Sequence, residues 1–380
     1  VNSGVITYNR PQYSGSAHYS WAYVNLTGLT DDGIFASTYQ DWRPFTNGGA
    51  TSSNRYVHEY YLKYNYIRRA SRVLENYHRV KGINNKKAED GILLKERLAA
   101  EARAMRAYLH MEMFFFFGPV PIIDHSLDVS EQNIARAGQE ELVQFIVDEF
   151  ELAAQNLPRA YTAESDTWRF TKGACYAFAA KTLLHVGKYS EAAGMAKLVV
   201  DMTNDDMTPV YELYIDGTNP AMSYGKMFEY AGQTCKERVF YSKGGNVQVF
   251  RRLAPASVSS GQSGISPTAA LVNSYETKDG YALDELPEAE KANYIKDPHY
   301  NDNRDPRLRM SIWFPNETFL DATPNPWLLS GTDGLGRSMS TMTGYWVKKW
   351  LTERDNGKVA AEAGTLDFFI LRYAEVLLIY

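Results

Sequence analysis

Residues Glu101 to Ile123 read EARAMRAYLHMEMFFFFGPVPII, and this stretch restricts the fold more than any other in the chain. Ala100, Ala102, Ala104 and Ala107 are small and strong helix formers, so neighbouring helices can approach closely. The four consecutive phenylalanines Phe114–Phe117 cannot lie on one helical face, which predicts a helix end buried on several sides. Gly118 suits a left-handed cap, and Pro119 cannot continue the helix. A short extended run with Pro121 follows. The stretch reads as a core helix of an all-α layer.

Other segments extend that layer. Tyr56, Tyr60, Tyr64, Ile67 and Leu74 recur near three-to-four spacing, predicting a helix over 55–80. The polar turn KGINNKK leads into the helix ending at Phe117, so the two form an antiparallel hairpin. A third helix spans about 139–156 and stops at Leu157-Pro158. Residues 172–186 and 190–201 form a further pair around Gly187-Lys188-Tyr189. Tyr176, Ala179, Ala180 and Leu183 on one helix, with Ala192, Ala196 and Val199 on the other, resemble the packing face of a tetratricopeptide unit. Several such hairpins in succession predict a solenoid-like half.

After about Asp205 the pattern changes. Residues 206–345 carry most of the Gly, Pro, Asn and Asp clusters, and two long loops, 244–264 and 315–344, fall there. RVFYS, MSIWF and TGYWVKKW read as short strands, while DFFILRYAEVLLIY (367–380) reads as a return to helix. The chain divides at about residue 204 into a hairpin region (1–204) and a loop-rich region (205–380), intertwined as one unit by that last helix.

Composition narrows the function classes. A net charge of −5 argues against a nucleic-acid footprint. Cys175 and Cys235 provide neither metal spacing nor a disulfide framework. No apolar run reaches the roughly 18 residues of a membrane span. The sequence begins without Met and ends inside an apolar run, EVLLIY, so it reads as a fragment lacking sequence at both ends. The 27 Tyr and 7 Trp matter more, because amphipathic rings serve binding surfaces as well as cores.

Eight blocks in order carry a family resemblance: LTDD (29–32), YNYIRRASRVLEN (64–76), the 101–123 stretch, EELVQFIVDEFELAAQNLP (140–158), RFTKGACYAFAAKTLLHVGKYSEAAGMAKLVVD (169–201), NDNRDPRL (301–308), GYWVKKW (344–350) and FFILRYAEVLLIY (368–380). Together they resemble the SusD/RagB family of outer-membrane nutrient-binding lipoproteins. The resemblance implies a mainly α fold, with tetratricopeptide-like hairpins forming a right-handed scaffold beside an irregular half containing short strands. It implies non-catalytic capture of a glycan at the cell surface and its delivery to a SusC-like TonB-dependent outer-membrane transporter. A peptide is the alternative ligand, as in RagB-like uptake. Membrane attachment is implied through an N-terminal lipid anchor; the lipidated cysteine and first helix of the family pattern are absent here, and the last helix is cut short.

Read for chemistry, the residues offer little catalysis. The seven histidines show no zinc-type pair, and His110 and His185 fall on core helices as structural groups. No nucleophile elbow or phosphate loop is present. Two rivals stay open: a carbohydrate-active enzyme, which needs a carboxylate pair in a cleft, and a helical adaptor for a protein partner. The segment 297–305, DPHYNDNRD, lacks the glycine and terminal glutamate of a calcium loop, so a structural calcium ion is its lesser reading. The greater is a polar turn with Arg304 and Arg307 paired to carboxylates. No cofactor is expected.

Binding candidates are aromatics in polar loops, since sugar rings stack on Trp and Tyr while hydroxyls bond to amides, carboxylates and guanidinium groups. Trp42 sits in TYQDWRPFTNGG beside Tyr39, Asp41, Arg43 and Asn47, where the family commonly places a stacking aromatic. Trp327, in TPNPWLLSG, is the second candidate. Trp313, Trp346 and Trp350 are assigned to the core, Trp168 to a staple ahead of a helix, and the alternating Tyr19, Trp21 and Tyr23 to an extended segment.

Overall fold

The computed structural model describes residues 27–35, 46–51, 53, 63–131, 133–164, 166–242, 249–258, 261–355 and 366–380. Among the described residues of the first half, five α-helices follow one another: α1 (Lys63–Asn76), α2 (Leu94–Phe117), α3 (Gln139–Ala154), α4 (Lys172–His185) and α5 (Tyr189–Val200). Each packs on the next, α1 on α2, α2 on α3, α3 on α4 and α4 on α5. This is the serial hairpin array expected of a helical solenoid.

Local chemistry sets the helix ends. Thr171 Oγ1 accepts from the Ala174 N–H at 3.1 Å, capping α4. Gly118 takes φ 65° and its N–H returns to the Phe114 carbonyl, closing α2. Small residues allow the close approach. Ala174, Ala177 and Ala180 of α4 and Ala192 and Ala196 of α5 are all fully buried, and the two helices pack on each other. Tyr176 is half-buried and packs against the helical core from its edge.

The phenylalanine run is less enclosed than expected. Phe114 is buried and Phe115 and Phe117 half-buried, but Phe116 is 42% exposed. Four successive residues sweep most of the helix circumference, so one of them faces out. The extended run after α2 is held by side chains rather than by a sheet. Tyr64 donates to the Pro121 carbonyl at 3.2 Å, and Arg136 Nη1 donates to the carbonyls of Phe117 (3.0 Å) and Pro119 (2.9 Å).

Buried charge links the helices. Glu149 of α3, 4% exposed, accepts from Arg106 Nε of α2 at 2.7 Å and also pairs with Arg103. Glu101, fully buried, accepts from Arg169 Nη1 at 2.9 Å and from the Tyr161 hydroxyl at 3.2 Å. His110 is fully buried; its Nε2 accepts from the Ile123 N–H at 3.1 Å, so Nδ1 carries the proton and donates to the Arg106 carbonyl at 2.8 Å. Burial, helped by the Arg106 charge, pulls its pKa down to about 4. His185 is exposed at the end of α4, resting against Phe115 with ring centroids 4.5 Å apart, so it is not a core histidine.

The second half is built of short pieces: helices α6 (Ser223–Met227), α7 (Val249–Leu253), α8 (Ala269–Ser274), α9 (Glu288–Lys296) and α10 (Pro306–Ser311), and α11 (Tyr373–Ile379) near the end of the chain. Among the described residues six strands pair antiparallel in twos: β1 (Gly33–Phe35) with β3 (Ile265–Pro267), β2 (Arg238–Ser242) with β6 (Phe368–Arg372), and β4 (Ile312–Trp313) with β5 (Trp346–Val347). The reading of 367–380 as one helix is corrected here. FFILR is a strand on β2, alternating half-buried and buried, and only the residues after Arg372 turn helical. An apolar run of that length fits either element.

β2, β6 and α11 bind the two halves together. Val239, Phe240, Leu371, Tyr373, Val376 and Ile379 all enter the helical core. α11 packs on α4 and α5, and Lys181 pairs with Glu375 at 2.7 Å. A separate core gathers Phe35, Phe250, Ile265, Trp313 and Trp346. The latter two tryptophans are cross-strand partners and fully buried. Trp350 is half-buried, stacked on Phe368 at 5.1 Å, and Trp168 packs toward the Met227–Phe228 cluster rather than along α4.

Candidate functional site

Polar bonds brace the loop from Pro324 to Gly344 over most of its length. Asn325 Oδ1 accepts from the N–H groups of Trp327 (2.9 Å) and Leu328 (3.2 Å). Leu335 N–H returns to the Pro326 carbonyl at 2.9 Å. Arg337 donates to the carbonyls of Leu329 (2.9 Å) and Ser330 (3.1 Å). Asp333, 5% exposed, accepts from the Ser257 N–H at 3.0 Å and ties the loop to the segment after α7. On this fixed frame Trp327 is 62% exposed, Leu328 54% and Leu329 66%. A large ring held out by a rigid loop has already lost the backbone freedom that binding would otherwise remove.

The end of this loop is bonded to β3, which pairs with β1. The edge of the Trp327 ring lies at Gly344, close enough that a Cβ there would stand 3.6 Å from it. The neighbouring Met342 N–H donates to Ser266 Oγ at 2.9 Å, and Thr343 Oγ1 donates to the Pro267 carbonyl at 2.6 Å. Ser266 and Pro267 pair in turn with Ile34 and Gly33 of β1. β1 ends at Phe35, directly ahead of residues 36–45 in sequence. Tyr39, Asp41, Trp42 and Arg43 lie outside the described residues, as do Tyr19, Trp21 and Tyr23. Asn47 is exposed, and its Oδ1 accepts from the Gly49 N–H at 3.2 Å in a local turn.

Of the residues 297–305, Asp297 accepts from the His299 N–H, Asp302 pairs with Arg309, and Asp305 caps α10 and pairs with Arg307. Arg304 departs from expectation. It is 3% exposed and, among the described residues, pairs with no carboxylate; it donates to the carbonyls of Val272 (2.6 Å), Tyr275 (2.9 Å) and Pro298 (2.8 Å). Among the described residues no group of three or more His, Cys, Asp or Glu side chains is placed to hold a metal ion.

A cleft of about 540 Å³ lies between α6, α10 and residues 348–351. Its carboxylates are Glu229, Asp302 and Asp305. The Asp305 carboxyl is held below its ordinary value chiefly by its bond to Arg307. A glycosidase acid would instead need its pKa raised. His299, in the cleft wall, is drawn down to about 4 by burial and by Arg309. Sequence reasoning missed this cleft, because its lining comes from five separated stretches with no shared motif.

Comparison with known proteins places the chain. A model of the SusD family matches residues 230–380, and a second, described as starch-binding associating with outer membrane, matches residues 14–184. No curated protein sequence matches the chain. A SusD-like carbohydrate binding protein from Bacteroides fragilis superposes with a TM-score of 0.79 over 100% of this chain and 71% of its own, at 21% identity. A second SusD-like protein from the same species gives 0.73 over 93% and 69%, at 24% identity. Surface glycan-binding protein A from Bacteroides thetaiotaomicron, in complex with laminarihexaose, gives 0.66 over 100% and 76%, at 15% identity. At these identities the superpositions establish a shared fold. No helix among the described residues is long and apolar enough to cross a membrane.

Proposed function

This chain belongs to the SusD family, and from that premise we propose that it captures a glycan at the bacterial cell surface and passes it, uncleaved, to a TonB-dependent outer-membrane transporter. The observation that carries the reading is Trp327, exposed on a loop braced by Asn325, Arg337 and Asp333. A ring with no packing duty and a fixed backbone is a stacking platform for a sugar face. Tyr39, Asp41, Trp42, Arg43 and Asn47, which follow β1 in the sequence, are proposed as further contacts of the glycan.

Two further observations support capture without cleavage. Every described carboxylate with a resolved shift is displaced downward, Asp305 in the cleft included, which suits ion pairing and not general-acid work. One fold relative holds laminarihexaose, and another is a laminarin-binding SusD-like protein. Attachment to the outer membrane through a lipid on an N-terminal cysteine completes the proposal.

Titration calorimetry against a panel of polysaccharides and peptides, followed by product analysis of each mixture, tests it. Binding of a glycan with no new reducing ends is the expected result. Binding of peptides alone transfers the reading to peptide uptake. Cleavage that disappears on substitution of one carboxylate overturns it.

A further inference from the structure

The chain as a whole is acidic, with a net charge of −5, yet the cleft between α6, α10 and residues 348–351 has an excess of cations. Its three carboxylates are all engaged. Glu229 accepts from Lys226 at 2.9 Å, Asp302 pairs with Arg309, and Asp305 pairs with Arg307. Lys348 is taken by Glu317 at 2.7 Å. Among the described residues, three cationic side chains of the lining remain without a carboxylate: Lys278, Arg304 and Lys349.

Lys349 is the most informative of them. Its ammonium lies 4.5 Å from the ring centroid of Phe228 and 4.8 Å from that of Tyr224. Burial is the largest influence on the Tyr224 phenol and opposes its ionisation, but the charge and hydrogen bond of Lys349, with smaller help from Ser311 and Arg372, together bring the pKa below its ordinary value. Two aromatic faces thus hold a charged group at the cleft while leaving it short of a counter-ion. Lys278 stands exposed at the rim. Arg304, 3% exposed, spends its terminal nitrogens on backbone carbonyls, and its Nε has no acceptor. Met310, Phe319 and Trp350 supply apolar wall beside these charges. A half-enclosed cleft with uncompensated positive charge concentrates field lines and favours an anion. Apolar and aromatic walls next to it suit the C–H faces of a sugar carrying that anion.

We propose that this cleft binds the anionic substituent of a charged glycan, a uronate carboxylate or a sulfate ester, with Lys349 and Lys278 as its contacts. The glycan part of the assignment rests on the capture reading above. The anion part rests on the cleft alone.

The test is calorimetry in low salt with two matched pairs of probes: oligogalacturonate against its methyl ester, and a sulfated oligosaccharide against its desulfated form. One charged pair member should bind roughly tenfold to hundredfold more tightly than its neutral partner, the scale of a charge-assisted contact. Whichever pair shows the difference identifies the anion. Lys349→Gln should erase most of that difference between the charged and neutral partners. Lys278→Gln, an exposed loop substitution with no packing to lose, should reduce it by a smaller factor and guards against a folding defect in the first variant. Raising salt should weaken only the charged members.

Equal binding of charged and neutral members, or a difference that survives both substitutions, overturns the proposal while leaving glycan capture standing. If no saccharide binds but oligoaspartate does, and Lys349→Gln abolishes it, glycan capture fails and the anion site stands.

Discussion

In the helical half a buried carboxylate, Glu149, is met by the arginines Arg103 and Arg106; in the loop-rich half a buried arginine, Arg304, is met by three backbone carbonyls. The difference follows from what each backbone has already satisfied. Helices α1–α5 close most of their own N–H and C=O groups, and the carboxylates buried among them, Glu149 and Glu101, are met by side chains. Short helices and two-residue strands leave carbonyls open, and a guanidinium with several donors gathers them into one node. The helical half is therefore fixed by periodic packing with a few ionic rivets. The loop-rich half is fixed by side chains standing in for secondary structure, and this frees its surface to display groups such as Trp327 and Lys349.

The largest effect expected from this contrast is at Glu149. Glu149→Ala leaves Arg106 buried without its counter-charge and should cost about 3–5 kcal/mol, measured by denaturant unfolding. A loss under about 1 kcal/mol would mean that water reaches the pair and that it does not rivet α2 to α3.

The next effect separates the halves by pH. His110 is buried neutral with a pKa of about 4, below its unfolded value near 6.5. Between those values the unfolded chain binds more protons than the folded one, so stability is full above about pH 6.5 and falls as pH drops toward 4, by up to about 3 kcal/mol. His299 shifts in the same direction but is only partly buried, and solvent screening makes its contribution smaller. Melting curves from pH 7 to pH 4 should therefore flatten more for His110→Gln than for His299→Gln. Equal flattening would erase the distinction between the two environments.

A smaller and local effect is expected at Arg304. Arg304→Met removes the donor shared by Val272, Tyr275 and Pro298, at about 1–3 kcal/mol, since loop carbonyls can recruit water. Hydrogen exchange should rise in residues 272–311 and stay unchanged in α2–α5. Exchange that rises throughout would show that the two halves unfold as one unit.

Legibility in the sequence divides along the same line. Helices α2 to α5 were readable because Ala spacing, Thr171, Gly118 and Gly187 state local preferences that the packing then obeys. Trp313 and Trp346 were readable as core because they sit in apolar runs. FFILR misled because an apolar pentapeptide buried on a partner strand looks like the first turns of the helix that follows it. Arg304 misled because a run of aspartates suggests ion pairs, whereas its partners are carbonyls from residues 272, 275 and 298 that no motif announces. The cationic cleft was invisible for the same reason: residues 226, 278, 304 and 349 meet only in three dimensions.

The central claim is that the helical half is scaffold and the loop-rich half presents the ligand surface. Trp327→Ala, melted and titrated with the tightest glycan of the panel on the same preparation, tests it most directly. The account predicts an affinity lower by about tenfold to hundredfold, as for a base lost from an aromatic stacking platform. Stability should stay within about 0.5 kcal/mol of the parent, since the ring is 62% exposed. Unchanged affinity together with a stability loss of about 3–5 kcal/mol, the cost of removing a buried plug, would contradict it.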